Sequence, residues 1–288
     1  MQSGGSLIPF AKAHACGNDF LIVTEDAAGD LERANLTRRL CDRHTGIGAD
    51  GIEFFAWANR NLPSRNSPGP NSGRVRLYNA DGSIAELSGN GTRCVAAWMA
   101  ETLGSHAGDE LEIVTDAGPR ICRIDSLHTG DAFTVDVTAG MGVPRFMPHT
   151  LKLSDGSEVI GVEVVIGNPH FVILVDNATF TVAGKPWQIL GAEICAHRDF
   201  PQQTNVEFMR IISENEIEIR IFERGVGPTT SSGTGSSASA TAALALRRCV
   251  SPLTVAAPGG AQTVAWGRPG QELFLTGPAT LIARGEAW

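Results

Sequence analysis

The chain has 288 residues, 42% of them hydrophobic, with 23 Lys and Arg against 31 Asp and Glu for a net charge of −8. That length suits about two domains, and the apolar content excludes a disordered chain. Lys and Arg form no block, which excludes the basic footprint of a nucleic-acid surface. In chain order, residues 1–10 carry neither the basic region nor the apolar run of a secretory signal. Residues 20–24 read as a strand. Residues 35–43 read as a helix with Leu36, Leu40 and Cys41 on one side. A glycine-rich turn at 46–51 leads into the apolar run 52–58, and 61–73, rich in Pro, Ser, Asn and Gly, reads as an exposed loop. Residues 74–78 alternate as a half-buried strand does, and 94–101 are strong helix material.

In the second half, strands are expected at 133–137, 162–166, 171–175 and 216–222, with another beginning after Asn205. Residues 237–248 form an Ala-rich stretch ending in Arg247 and Arg248, which suits the negative end of a helix. Residues 254–282 read as short strands with Gly turns. No run of about 18 apolar residues reads as a membrane span. The six cysteines, Cys16, Cys41, Cys94, Cys122, Cys195 and Cys249, are scattered without a C-x-x-C pair, against a zinc ribbon or a dense disulfide framework. Reduced, mostly buried thiols in a cytoplasmic protein are expected. Strands outnumber helices, with about one long helix per half. The expected fold is therefore α+β: two pseudo-symmetric domains, each a curved, mainly antiparallel sheet around a central helix. The boundary is expected near 127–131. That gives domains 1–130 and 131–275, with a C-terminal strand near 276–288 completing the first.

Two segments repeat. Ser88-Gly89-Asn90-Gly91-Thr92 and Ser232-Gly233-Thr234-Gly235-Ser236 both read S-G-x-G-[ST], each opens a helical stretch, and they lie half the chain apart. Glycine lets backbone N–H groups approach a ligand closely. The first N–H groups of a helix lack internal partners and together carry about half a positive charge, so a carboxylate or phosphate is welcome there. Each serine alone is explained as an N-cap; two such openings point equally to one small anion gripped from both sides. Polar residues gather near them: Asn18, Asn79, Asn168, His170, Asn205, Glu223 and Arg224. Singly, each Asn reads as a turn residue, Glu223-Arg224 as a solvated pair, and His170 as a satisfied histidine.

Taken together, His14-Ala15-Cys16-Gly17-Asn18-Asp19-Phe20, Gly46-Ile47-Gly48-Ala49-Asp50-Gly51, Asn79-Ala80-Asp81-Gly82-Ser83, Ser88-Gly89-Asn90-Gly91-Thr92-Arg93-Cys94, Gly167-Asn168-Pro169-His170 and Glu223-Arg224-Gly225 follow one another in a familiar order. From about Phe10 to the C-terminus the chain resembles the diaminopimelate epimerases. The resemblance implies two pseudo-symmetric α/β domains with the substrate in the cleft between them. It also implies cofactor-free inversion at the α-carbon of an amino acid, diaminopimelate first, in the lysine and peptidoglycan pathway. Asn18, Asn79, Asn168, Asn205, Glu223 and Arg224 would hold that amino acid, including its non-reacting distal centre. The backbone of Gly89-Asn90 and Gly233-Thr234 would hold the reacting α-carboxylate, and His170 and Glu223 would be the titratable neighbours of the catalytic pair. Neither a cofactor nor a metal is implied, nor a nucleic-acid or membrane partner; a homodimer is compatible.

In that family two cysteines face the α-carbon from opposite sides, one thiolate taking a proton while the other thiol returns one. Here those positions are Ser88 and Ser232. Cys94 lies about two helical turns further on and is no substitute, and Pro228 stands where family members usually carry Glu. A thiol with pKa near 8.5 ionises at pH 7 for about 2 kcal/mol. A hydroxyl resembling water costs on the order of 10 kcal/mol. The gap, roughly 8 kcal/mol, is nearly six decades in rate, of which helix dipoles offset about 1–2 kcal/mol. The serine-rich surroundings (Ser231, Ser236, Ser237, Ser239) fit natural divergence. Three readings stay open at this point. One is an epimerase in which His170 or Glu223 works as the base, through a serine. The second is an isomerase, racemase or dehydratase for another amino acid, using the same residues. The third is a protein that binds an amino acid without turning it over.

Overall fold

The computed structural model describes residues 7–58 and 71–288, and the chain divides into two units, Met1–Ala139 with Pro278–Trp288, and Gly140–Gly277. The first unit runs β1 (Ile8–Ala15), β2 (Asn18–Thr24), α1 (Glu25–Ala28), α2 (Arg33–Cys41), β3 (Gly51–Trp57), β4 (Ser72–Asn79), β5 (Ile84–Ala85), α3 (Gly89–Leu103), β6 (Glu110–Thr115), β7 (Gly118–Thr129) and β8 (Phe133–Gly142). The second runs β9 (Arg145–Lys152), β10 (Glu158–Ile166), β11 (Asn168–Leu174), α4 (Trp187–Cys195), β12 (Asn205–Ser213), β13 (Glu216–Glu223), β14 (Gly227–Thr229), α5 (Gly233–Ala245), β15 (Leu253–Ala257), β16 (Gly260–Trp266) and β17 (Leu273–Ala287). The end of β17 returns to the first unit and pairs with β1, from His14 opposite Thr280 to Ile8 opposite Ala287. The fold is α+β and sheet-dominated. No helix among the described residues is long and apolar enough to cross a membrane.

Side chains of a strand alternate between its two faces, and this sorts each unit into layers. On β3, Ile52 and Phe54 turn to one face and join Ala28 of α1 and Leu36, Leu40 and Cys41 of α2. Phe55 turns to the other face, into a core built on Cys94, Val95, Ala96, Ala97, Met99 and Ala100 of α3. Nearly every residue of α3 from Gly89 to Ala100 is buried, so it is a central helix rather than an amphipathic surface one. The second unit repeats this. Val206 and Phe208 of β12 join Leu190 and Ile194 of α4, and α5 is buried from Gly233 to Ala243. The small residues of α5 (Ala, Ser, Gly) let the surrounding strands approach on all sides.

Pairing is mainly antiparallel, and each unit also holds parallel pairs: β2–β3 and β4–β6 in the first, β11–β12 and β13–β15 in the second. The registers match. Phe20 pairs with Gly51, which pairs with Asn79. His170 pairs with Asn205, whose next residue Val206 pairs with Phe222, one short of Glu223. By this register Phe20 corresponds to His170, Gly51 to Asn205, Asn79 to Glu223 and, two residues along each strand, Glu53 to Glu207.

Several expectations are corrected. The boundary expected near 127–131 is the tip of the β7–β8 hairpin, where Thr129 pairs with Phe133; the chain leaves the first unit later, within β8. The helix expected at 237–248 begins at Gly233, because the S-G-x-G segment is itself its first turn, and ends at Ala245. Arg247 lies beyond it in the left-handed region, with φ 54°. The tail contains one 15-residue strand rather than only short pieces, because β17 pairs first with β16 and then with β1. Residues 61–70 of the expected loop lie outside the described residues, and Ser72 and Gly73 already belong to β4.

Candidate active site

Ser88 is the N-cap of α3: its extended backbone (φ −124°, ψ 120°) turns the side chain back to accept from the N–H of Gly91 at 3.0 Å. The N–H of Gly89 makes no hydrogen bond to any described residue, leaving a helix-end donor for an anion. Behind it runs a chain of amides and charges. Arg93 Nη2 donates to Asn90 Oδ1 (2.8 Å), Asn90 Nδ2 to Asn18 Oδ1 (3.1 Å), and Asn18 Nδ2 to Asp50 Oδ2 (2.6 Å). Arg43 bridges Asp50 (2.8 Å) and Asp19 (2.6 Å), and Lys12 lies 3.0 Å from Asp19. Burial works to raise the Asp19 carboxyl, but Arg43 and Lys12 outweigh it and hold it below the usual range. Asn79, at the end of β4, donates to Ser83 Oγ (3.1 Å), and the next residue, Ala80, donates its N–H to Asp50 O (2.9 Å). Asn18, Asn79, Asn90, Ser88 and Gly89 thus gather in the first unit, with Asp50 as the hub.

Ser232 caps α5 in the same way, accepting from Gly235 N–H at 3.1 Å, with Thr234 Oγ1 at 3.3 Å from its hydroxyl. The N–H groups of Gly233 and Thr234 make no hydrogen bond to any described residue. His170 is fully buried on β11. Its Nδ1 lies 2.8 Å from Glu207 Oε1 and its Nε2 lies 2.6 Å from Asn168 Oδ1. Burial pushes the Glu207 carboxyl up and the imidazole beside it pulls it back; its Oε2 has no hydrogen-bond partner. Asn205 is fixed at both ends, donating to Pro169 O (3.0 Å) and accepting from Arg224 N–H (2.9 Å). Arg224 reaches Gln202 O (3.1 Å). Glu223 ends β13 half-buried opposite Gly227, and Pro228 faces Phe222. These bonds join Asn168 and His170 to Glu207, and Arg224 and Asn205 to Pro169, the residue between Asn168 and His170. Glu223 adjoins that group through Arg224.

Sequence reasoning missed Glu53, Glu207 and Arg43 as site residues, and quoted Asp50 and Arg93 only within motifs. The signal for the two glutamates was present: each interrupts an apolar run, Ile52-Glu53-Phe54 and Val206-Glu207-Phe208. All six cysteines are buried and free. Cys94, inside α3, has its thiol raised by burial well beyond the usual range, which removes it as a base. Among the described residues no group of three or more His, Cys, Asp or Glu is placed to hold a metal ion. A surface groove of about 1130 Å³ belongs to the second unit and is lined by Leu244, Arg247, Cys249 and Trp266. It sits at the far end of α5, about 20 Å from Ser232 at 1.5 Å per residue.

The diaminopimelate epimerase family profile matches residues 10–147 and 162–282. The chain belongs to the diaminopimelate epimerase family. A diaminopimelate epimerase from Nostoc sp. is 36% identical over 97% of this chain and 99% of its own length. Two solved structures share the fold of this family member at low identity. One is a phenazine biosynthesis protein of the PhzF family from Bacillus anthracis (TM-score 0.69, 15% identity, covering 99% and 100% of the two chains). The other is a hydroxyproline epimerase from Agrobacterium vitis, with bound trans-4-hydroxy-L-proline (TM-score 0.66, 16% identity, 98% and 91%). The family's named relatives are epimerases, an isomerase class.

Proposed function

We propose that this chain is a cofactor-independent epimerase acting at the α-carbon of a small amino acid, with diaminopimelate the leading substrate. Gly89-Asn90 and Gly233-Thr234 take the α-carboxylate, while Asn18, Asn79, Asn168, Asn205, Glu223 and Arg224 take the rest of the molecule. The observation that carries the reading is the Glu207–His170 pair beside the Ser232-capped helix. A Cβ on Gly235 would stand 2.8 Å from Glu207 Oε1 and 3.2 Å from Ser232 Oγ, so carboxyl, imidazole and hydroxyl share one small volume. The pair can hold or release a proton without an alkoxide, which bypasses the ionisation cost of a bare serine. Family membership supports the reaction class. Reduced, buried thiols suit a cytoplasmic enzyme.

Proton NMR in D₂O across an amino-acid panel that includes the diaminopimelate stereoisomers tests this. The expected result is deuterium at the α-carbon of diaminopimelate. Exchange with a different amino acid would transfer the same machinery to that substrate. Two serines at the thiol positions favour one second reading, an amino-acid-binding protein without turnover. It predicts thermal stabilisation by ligand and no exchange with any member of the panel.

A further inference from the structure

Glu53 stands where a buried strand ordinarily carries an apolar side chain. It lies mid-way along β3 and is 2% exposed. Alternation turns it to the α3 face, alongside Phe55. Its carboxyl has no hydrogen bond or ion pair to any described residue. Burial alone acts on it and pushes it up to about 8, so at neutral pH it holds its proton. The carboxyl is aimed at the helix opening. A Cβ built on Gly91 would fall on Glu53 Oε1, and the same point lies 3.2 Å from Ser88 Cβ. Gly91 is the residue whose N–H binds Ser88 Oγ. A neutral acid therefore lies against the first turn of α3, next to a half-buried serine. The register-equivalent Glu207 lies against Gly235 and Ser232 in the same manner. A carboxyl without a partner costs stability in a core, yet Glu53 is kept at the strand position and against the helix turn where the second unit carries Glu207, bonded there to His170.

We propose that Glu53 is the acid–base residue of the first helix opening, exchanging its proton with the α-carbon of an amino acid through the Ser88 hydroxyl. This rests on the epimerase reading above and supplies the proton carrier that reading lacks in the first unit. In the removing direction, the α C–H bond breaks as its proton passes to Ser88 Oγ, while the Ser88 hydroxyl proton passes to ionised Glu53. The electron pair stays on the α-carbon and spreads into the α-carboxylate, against the helix N–H groups. In the returning direction, neutral Glu53 gives its proton to Ser88 Oγ as the hydroxyl proton forms the new C–H bond. The serine ends each transfer as it began, and no alkoxide is formed.

The test follows α-proton exchange in D₂O by NMR, using the full chain and each configuration of the responsive amino acid separately. Glu53→Gln keeps the shape and removes the proton. Exchange is expected to fall at least about 100-fold for the configuration whose proton faces the first opening. It should persist for the other configuration, with ligand-induced thermal stabilisation unchanged. Glu53→Leu should show the same one-sided loss with a higher melting temperature, which separates a lost proton carrier from a lost fold. Ser88→Cys added to Glu53→Gln should restore exchange, because a thiol carries the proton itself. Unchanged exchange in Glu53→Gln overturns the inference and leaves the epimerase reading standing. So does an equal loss for both configurations in a variant that still binds. A wild-type chain that binds an amino acid and exchanges none overturns the epimerase reading, and this inference with it.

Discussion

In the second unit the buried carboxyl of Glu207 is bonded to His170 at 2.8 Å; in the first, the register-equivalent of His170 is Phe20, and Glu53 has no such partner. Two copies of one frame have therefore handled a buried acid differently. The paired acid can share its proton with the ring. The lone acid must keep its proton at neutral pH, because an unpaired buried carboxylate is expensive. The first unit uses its charges elsewhere: Lys12, Asp19, Arg43 and Asp50 orient Asn18 and, through it, Asn90. The second opening thus shares its acid's proton with a ring, while the first keeps a neutral acid beside charges that hold its amides still.

The largest expected effect of this difference is on stability against pH. Folded Glu53 keeps its proton up to about pH 8, whereas its unfolded value is 4.5. Between those values the folded chain binds the extra proton, so stability is full below about 4.5 and falls as pH rises toward 8. The ceiling on that fall is about 5 kcal/mol, and the positive end of α3 trims it by about 1–2 kcal/mol. Urea unfolding at several pH values across the window should show a steep decline in the wild type and a shallow one in Glu53→Gln; identical slopes would break the comparison.

A smaller effect concerns the two glycines. In Gly91→Ala the new methyl falls on Glu53 Oε1, whereas in Gly235→Ala it meets Glu207 Oε1 at 2.8 Å. Overpacking of this kind costs about 1–3 kcal/mol, with Gly91→Ala the costlier. Adding Glu53→Ala should recover part of that loss, since residues in contact couple by about 0.5–3 kcal/mol. A strictly additive double variant would show that Glu53 does not press on residue 91.

The smallest effect should be the same in both units. Ser88→Ala and Ser232→Ala each remove one N-cap bond and should each cost about 1 kcal/mol of folding stability, read by thermal unfolding. A cost well above that in one unit alone would mean that its serine supports more than a helix end.

What was legible locally was the α+β class, the two long helices and the two S-G-x-G helix openings. Caps, glycine turns and short apolar periods are set by neighbours a few residues apart. Residues 94–101 do lie inside α3, and both serines are N-caps. β1 was not legible: Ala11, Ala13 and Ala15 carry little strand preference, and it is a strand because β2 and β17 flank it. Nor was α4, whose apolar face is defined only by packing on the other core residues of its unit.

By itself the sequence determined the family and the two serine-capped openings, because those reside in short contiguous motifs. Only the tertiary structure decided which acids stand behind the serines. Glu207 meets His170 across 37 residues of chain, and Glu53 meets Gly91 from a different element. Parallel strand register and side-chain alternation place those partners, and neither leaves a trace in local sequence spacing.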